Sequence, residues 1–349
     1  MKVAVLLSGG VDSSVALSLL RREGHDVTAF YLKVWLEDEL AHLGSCPWEE
    51  DLRFAREVSE RLDVPLEVRS LQRPYWDRVV SHSIAELEAG RTPSPDVLCN
   101  QRIKFGAFFD EIGPSFERVA SGHYARVEEH KGEAILKRGV DPVKDQSYFL
   151  SHLNQMQLAR ALFPLGGLRK SEVRAIAREL NLPNQDRRDS QGICFLGKIR
   201  YRDFIQHHLG EREGEIVELE SGRVLGKHKG YWFHTIGQRQ GLRLSHGPWF
   251  VQGKDVERNI IYVAHSDRVA ASSRDRFEVD AVHWIAKPPE TSALHVRVRH
   301  GREIHRAVAD FEGKRGRVHL DRKERGIAPG QFAVFYQDEV CLGGATIAA

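Results

Sequence analysis

The stretch Val3-Ala4-Val5-Leu6-Leu7-Ser8-Gly9-Gly10-Val11-Asp12-Ser13-Ser14 decides the fold. Its first five residues form an unbroken apolar run, the pattern of a strand buried on both faces of a parallel sheet. Beyond the glycines, Val15-Ala16-Leu17-Ser18-Leu19-Leu20 has apolar spacing suited to a helix. A strand, a glycine turn and a helix start together present free backbone N–H groups to an anion. Gly9 and Gly10 let the backbone bend and approach a phosphate closely, and Ser8, Ser13 and Ser14 add hydroxyl donors. Asp12 has two readings, a cap of the helix or a carboxylate that helps hold a magnesium ion. An ordinary strand-to-helix turn is the plain alternative for a bare pair of glycines; the whole heptapeptide Ser8–Ser14 in this setting favours the phosphate site. The Walker pattern G-x-x-x-x-G-K-[ST] is missing.

Working outward, the first 125 residues alternate strand-like and helix-like segments. Val27–Leu32 is a second β-branched and aromatic run following Gly24, Glu49–Leu62 reads as a helix, Leu66–Val68 as a short strand and Tyr75–Leu87 as another helix. Val119-Ala120-Ser121 then leads into Gly122-His123-Tyr124. This alternation predicts an α/β, doubly wound parallel sheet, with the ligand beyond the carboxyl ends of the strands. The rule brings Ser8–Ser14, Leu32 and Gly122 to one edge. Arg91–Asn100 breaks the rhythm, because Pro93 and Pro95 disfavour regular structure, and Ile103, Phe105 and Phe108 follow at helical spacing. Ser151–Asn181 reads as helical with a loop at Pro164–Gly167. Beyond Gly210 the chain turns β-rich, with Glu215–Leu219, Gly230–Phe233 and Asn259–Val263 as short segments. From about Phe277, Leu294–Arg299, Arg317–Leu320 and Phe332–Tyr336 predict a small barrel.

The 349 residues suffice for two or three domains, and 29% charged with 41% hydrophobic residues is a globular, soluble composition. No apolar run is long enough to span a bilayer, and the N-terminus enters the first strand at once, with no room for a leader. A net charge of +2 permits a local nucleic-acid patch without requiring one. Cysteines stand at 46, 99, 194 and 341 with no C-x-x-C pair, which fits separate thiols in a reducing compartment better than a disulfide scaffold. Cys99 and Cys194 each sit in polar loop sequence, the setting of a reactive thiol, whereas Cys46 and Cys341 read as structural. Two such thiols beside an ATP-type loop suggest sulfur transfer, one carrying a persulfide and the other closing a disulfide as the sulfur leaves.

Ser8–Ser13 resembles the SGGxDS signature of the PP-loop ATP pyrophosphatases, which cleave ATP between the α- and β-phosphates and transfer AMP to a substrate oxygen. Pro93–Asn100, Gly122–Tyr124, Lys144–Leu150, Gly192–Phe195, His234–Arg239, Gly330–Tyr336 and Val340–Gly344 are similar, in order, to the tRNA-specific 2-thiouridylases of the MnmA family. The resemblance implies a PP-loop domain over 1–205, a small central domain over 206–268 and a β-barrel over 269–349. ATP would lie on Leu6, Leu7, Ser8, Gly9, Gly10, Val11, Asp12 and Ser13, with Leu32 and Gly122 at the nucleotide and Mg²⁺ near Asp12. AMP would be placed on the 2-oxygen of the wobble uridine. Cys194 would carry the persulfide, and Cys99 would be the nucleophile that releases sulfide or closes a Cys99–Cys194 disulfide. Ser94, Pro95 and Asp96 would lie near the target base, and Lys144, Asp145, Gln146, Arg299 and His300 near the tRNA; His123 and Gln331 align with positions important for activity. A cysteine desulfurase or a relay protein would donate the sulfur, in the cytoplasm or, for a trimmed chain, in an organelle. An iron–sulfur cluster on Asp96, Cys99 and Cys194 is the mechanistic variant. Ser94 departs from the family's usual Asn, and Leu6-Leu7 from its Gly and small or apolar pair. The rival classes are a PP-loop amidotransferase or ligase, for which no glutaminase-like segment is present, and an RNA-binding module with a relic ATP site.

Overall fold

A computed structural model describes residues 1–34, 48–189, 200–268 and 273–348. Cys46, Cys194 and the stretch Gly192–Phe195 therefore lie outside the described residues. The apolar run that opens the chain is strand β1 (Lys2–Leu6), followed by helix α1 (Val11–Arg22), β2 (Asp26–Lys33), helix α2 (Trp48–Leu62), β3 (Leu66–Ser70) and β4 (Arg118–Ala120). A hairpin, β5 (Ala125–His130) and β6 (Glu133–Arg138), comes next, and then β7 (Ala161–Leu162). The parallel sheet has the order β3-β2-β1-β4-β7. Alternate residues of β1 serve opposite faces: Ala4 and Leu6 pack in one apolar cluster, Val3, Val5 and Leu7 in another. Burial on both faces is why the run has no polar alternation.

The expected helix over Tyr75–Leu87 is a succession of pieces, Gln72–Tyr75, a π-helical turn at Trp76–Val80, and Ser81–Glu88. Regular structure does enter Arg91–Asn100, contrary to expectation. A short helix spans Pro95–Cys99, with proline in its first turn, where the missing N–H breaks no helical bond. The helical reading of Ser151–Asn181 misses β7, two residues that add an edge to the parallel sheet.

In the middle of the chain, β8 (Gly214–Glu218), β9 (Val224–His228), β10 (Trp249–Asp255) and β11 (Ile260–His265) form a sheet of order β10-β11-β8-β9. Gly230–Phe233 is no strand: Gly230 sits at φ +142° and a 3-10 turn follows at Tyr231–Phe233. The C-terminal barrel closes from β12 (Arg274–Trp284), β13 (Ala293–Arg297), β14 (His305–Glu312), β15 (Arg315–Glu324), β16 (Phe332–Gln337) and β17 (Val340–Ile347), with β12 pairing both β15 and β17. The β5–β6 hairpin extends this sheet through Lys137 opposite Val340.

Candidate active site

At the carboxyl end of β1 the chain turns through Ser8-Gly9-Gly10 into α1. Gly9 has φ +73°, and a Cβ there would stand 2.2 Å from the backbone oxygen of Asp51, so only glycine fits. Gly122 lies against the same turn: a Cβ on it would stand 2.8 Å from the Ser13 nitrogen. The turn is held by Ser13 Oγ, which accepts from the Ser8 N–H at 3.2 Å and donates to the Gly10 carbonyl at 3.0 Å. Asn184 Nδ2 donates to the Gly9 carbonyl at 2.8 Å and to Ser14 Oγ at 2.9 Å, and Arg187 bridges Gly9 and Asp51. Gly10 is the N-cap of α1, and no side chain makes a cap hydrogen bond there. A positive helix end, an exposed Ser8 and a glycine-only backbone make a cradle suited to phosphate. Leu6 and Leu7 are core residues, contributing backbone rather than side chain to the approach.

Asp12 is neither cap nor open metal ligand. Its Oδ1 accepts from Tyr124 at 2.8 Å and from Lys170 at 2.7 Å, and its Oδ2 accepts from Lys170 at 2.9 Å. A metal on this carboxylate would have to displace an ammonium, so these side chains as arranged do not fit a resident ion. Lys170 also meets Asp189 Oδ1 at 2.7 Å; Arg174 reaches the same oxygen at 2.6 Å and Lys144 reaches Oδ2 at 2.6 Å. Burial opposes ionisation of Asp189, but hydrogen bonds from Lys144 and Lys170 outweigh it and hold its carboxyl well below the usual range. Tyr124 is pushed far up, first by burial and then by the charge of Asp12, so it stays a hydroxyl donor. Asp12 and Lys144 stand out in the sequence, whereas Lys170 falls in a stretch that reads only as helical and Asp189 in one with no apolar period.

Cys99 ends the Pro95–Cys99 helix at 2% exposure inside the main apolar cluster, not in an open polar loop. Ser94, the N-cap of that helix, and Asp96 are partly exposed at its start, while Pro95 is buried. Chain from both β domains docks just upstream. Tyr231 of the 3-10 turn and Lys254 of β10 donate to the carbonyls of Glu88 and Gly90, and the Thr92 N–H donates to the Pro329 carbonyl of the barrel at 2.7 Å. Gln331 closes that barrel turn, donating its N–H to Ala328 and accepting from Ile347.

The triplet Lys144-Asp145-Gln146 splits into separate tasks. Gln146 Oε1 accepts from the Tyr124 N–H at 3.0 Å and its own N–H donates to the Tyr124 carbonyl at 2.9 Å, clamping the Gly122–Tyr124 turn. Asp145, expected near tRNA, is buried instead. It accepts from the Gly139 and Ser147 N–H groups and pairs with Arg138 at 3.3 Å and with fully buried Arg297 of β13 at 2.7 Å. Arg299 and His300 are exposed, the former braced by Glu324 at 3.3 Å and the latter 4.4 Å from the Phe149 ring. His123 is a core histidine: its Nδ1 lies 2.7 Å from Ser121 Oγ, its ring packs edge-on against Phe163, and burial keeps it neutral. Buried Cys341 has its thiol pushed up by burial. Leu32 is partly exposed one residue before the end of β2, the strand beside β1.

Fold and site define a PP-loop protein, an α/β nucleotide-site domain followed by two β domains. Family models match in the same order: a tRNA methyl transferase HUP domain over 1–198, a tRNA methyl transferase PRC-barrel domain over 202–265 and an aminomethyltransferase β-barrel domain over 274–347. Curated relatives called tRNA-specific 2-thiouridylase MnmA, from Parabacteroides distasonis and Bacteroides thetaiotaomicron, are 45% identical, and one from Porphyromonas gingivalis is 44% identical. Each match covers 99% of both chains. The chain belongs to this family, the tRNA-specific 2-thiouridylases.

Proposed function

We propose that this protein replaces the 2-oxygen of the wobble uridine of tRNA with sulfur, using ATP. The reading is carried by an open phosphate cradle at Ser8–Ser13 in a chain that matches named 2-thiouridylases over 99% of its length. ATP lies on the cradle with Gly122 and Leu32 alongside, and the uracil 2-oxygen attacks the α-phosphorus as pyrophosphate leaves. Adenylation turns a poor leaving group into AMP. The terminal sulfur of a Cys194 persulfide then attacks C2 and AMP departs. Cys99 attacks the Cys194 sulfur, the S–S bond breaks, and the transferred sulfur stays on the base. The Cys99–Cys194 disulfide left behind is reopened by a thiol reductant. Ser94 and Asp96 face the splayed base, with buried Pro95 between them, while Lys144, Gln146, Arg299 and His300 face the tRNA. Because Asp12 is held by Lys170, we assign Mg²⁺ to the incoming nucleotide rather than to the protein. Among the described residues no helix is long and apolar enough to cross a membrane, and we place the protein in the cytoplasm, served by a cysteine desulfurase or relay protein. We divide the chain at 205 and 268, the three parts acting as nucleotide domain, central connector and tRNA-facing barrel.

The test is reconstitution with ATP, unmodified tRNA and a persulfide donor, followed by mass spectrometry of the nucleosides. The expected outcome is 2-thiouridine at the wobble position with AMP and pyrophosphate, abolished by Cys99→Ser or Cys194→Ser. No tRNA-dependent pyrophosphate release would sink the reading, and activity surviving both serine variants would favour a ligase of the same fold.

A further inference from the structure

The ion cluster beside the phosphate cradle joins a lysine read as a tRNA contact to a lysine that holds the nucleotide turn. Lys144 is partly exposed on the face assigned to tRNA, and Lys170 holds Asp12 in the nucleotide turn. Both ammonium groups converge on the carboxylate of Asp189, one on each oxygen. Their backbones are pinned together as well. Asp141 Oδ1 accepts from the Lys144 N–H at 3.2 Å, and its Oδ2 accepts from the Lys170 N–H at 3.0 Å. The lysines therefore reach Asp189 from a fixed base, so a change in the charge on one side is felt on the other.

We infer that Asp189 is a positioning residue that couples Lys144 at the tRNA face to Lys170 and Asp12 at the phosphate cradle. The inference rests on the reading of Lys144 as a tRNA contact. Lys170 divides its charge between Asp12 and Asp189. When Lys144 neutralises Asp189, Lys170 stays on Asp12 and cancels a negative charge beside the site where polyphosphate must bind. Without Lys144, Asp189 keeps only Arg174 on its other oxygen and draws Lys170 away, and Asp12 repels the incoming nucleotide. Occupancy of Lys144 by an RNA phosphate is thereby transmitted to the nucleotide turn through one carboxylate.

The experiment measures the Kd of a non-hydrolysable ATP analogue by calorimetry in the absence of tRNA, on the full-length protein. Lys144→Met is expected to raise that Kd by about threefold or more, as residues in one ionic network do, and Lys144→Arg to stay within about twofold of wild type. In the Asp189→Asn background, Lys144→Met is expected to add no further change. An unchanged analogue Kd in Lys144→Met, or the same rise with and without Asp189, overturns the coupling. Thermal unfolding of each variant separates misfolding from a lost contact, and Lys144→Arg supplies a rescue that a purely structural loss would not show. Binding of unmodified tRNA is measured in parallel. Failure of the wild-type protein to bind tRNA would refute the thiolation reading while leaving the analogue series to judge the coupling by itself.

Discussion

Gly9 shows how a single missing Cβ sets the chemistry. At φ +73° with a backbone oxygen 2.2 Å from where a Cβ would stand, Gly9→Ala must move the α2 end of the turn or leave the left-handed region. The expected cost is about 1–3 kcal/mol in urea unfolding, with loss of ATP-analogue binding measured by calorimetry. Gly122→Ala is expected to weaken the same binding while leaving more of the stability, since its clash at 2.8 Å is milder and its backbone lies outside the left-handed region. Much at this scale was legible: Gly9, Gly10, Ser13 and Gly122 are recognisable because few residue types tolerate their geometry. The partners of the turn were not. Asn184, Arg187 and Asp189 act through contacts from 15 to 178 residues away in sequence, and a polar stretch carries no period that points at its targets. Asp145 is the reverse case, a charged residue that reads as a surface contact and lies buried because two arginines, Arg138 and Arg297, compensate it.

Among elements, the junction of β13 with the segment before Ser147 matters most. Arg297 lies 2.7 Å from Asp145 and 5.2 Å from the Tyr336 ring centre, yet its N–H groups find no well-aligned acceptor. The contact is one of charge on charge in a dry setting, where removing a single partner strands the other. Arg297→Met is expected to cost about 3–5 kcal/mol in chemical denaturation, and the double variant Arg297→Met/Asp145→Asn less than the sum. The parallel sheet could be read from the sequence because strands buried on both faces are continuous apolar runs. The hairpin β5–β6 could not, since its exposed positions Glu128, Glu129 and His130 resemble a solvated loop and Lys137 finds its partner only at Val340. Pro95 misled for a physical reason: proline excludes helix interiors but suits a first turn.

At the scale of the whole molecule, buried neutral histidines set the acid limit. Burial, with the nearby charge of His283, lowers His152 to about 3, and burial lowers His234 to about 3. His123 is also lowered well below its usual value. Each folded value lies under the unfolded 6.5, so the unfolded chain binds protons first as the pH falls. Stability present at neutral pH is therefore lost from pH 6.5 downward, each such histidine steepening the fall by about 1.4 kcal/mol per pH unit. Thermal melts between pH 7.5 and 5 check this; His152→Gln and His234→Gln are expected to flatten the slope, and an unchanged slope would contradict it. His152 stacks on His283 of β12 at 5.5 Å, so part of this acid sensitivity lies where the nucleotide domain meets the barrel.

The pairing of Lys137 with Val340 has a consequence for how the chain is made. A ribosome delivers β6 about 200 residues before β17. The hairpin must wait with that edge uncovered while the residues between are made, and its own charged rim, Glu128 with Lys137, blunts the edge meanwhile. A nascent chain halted before β17 would carry a formed phosphate cradle and no finished enzyme.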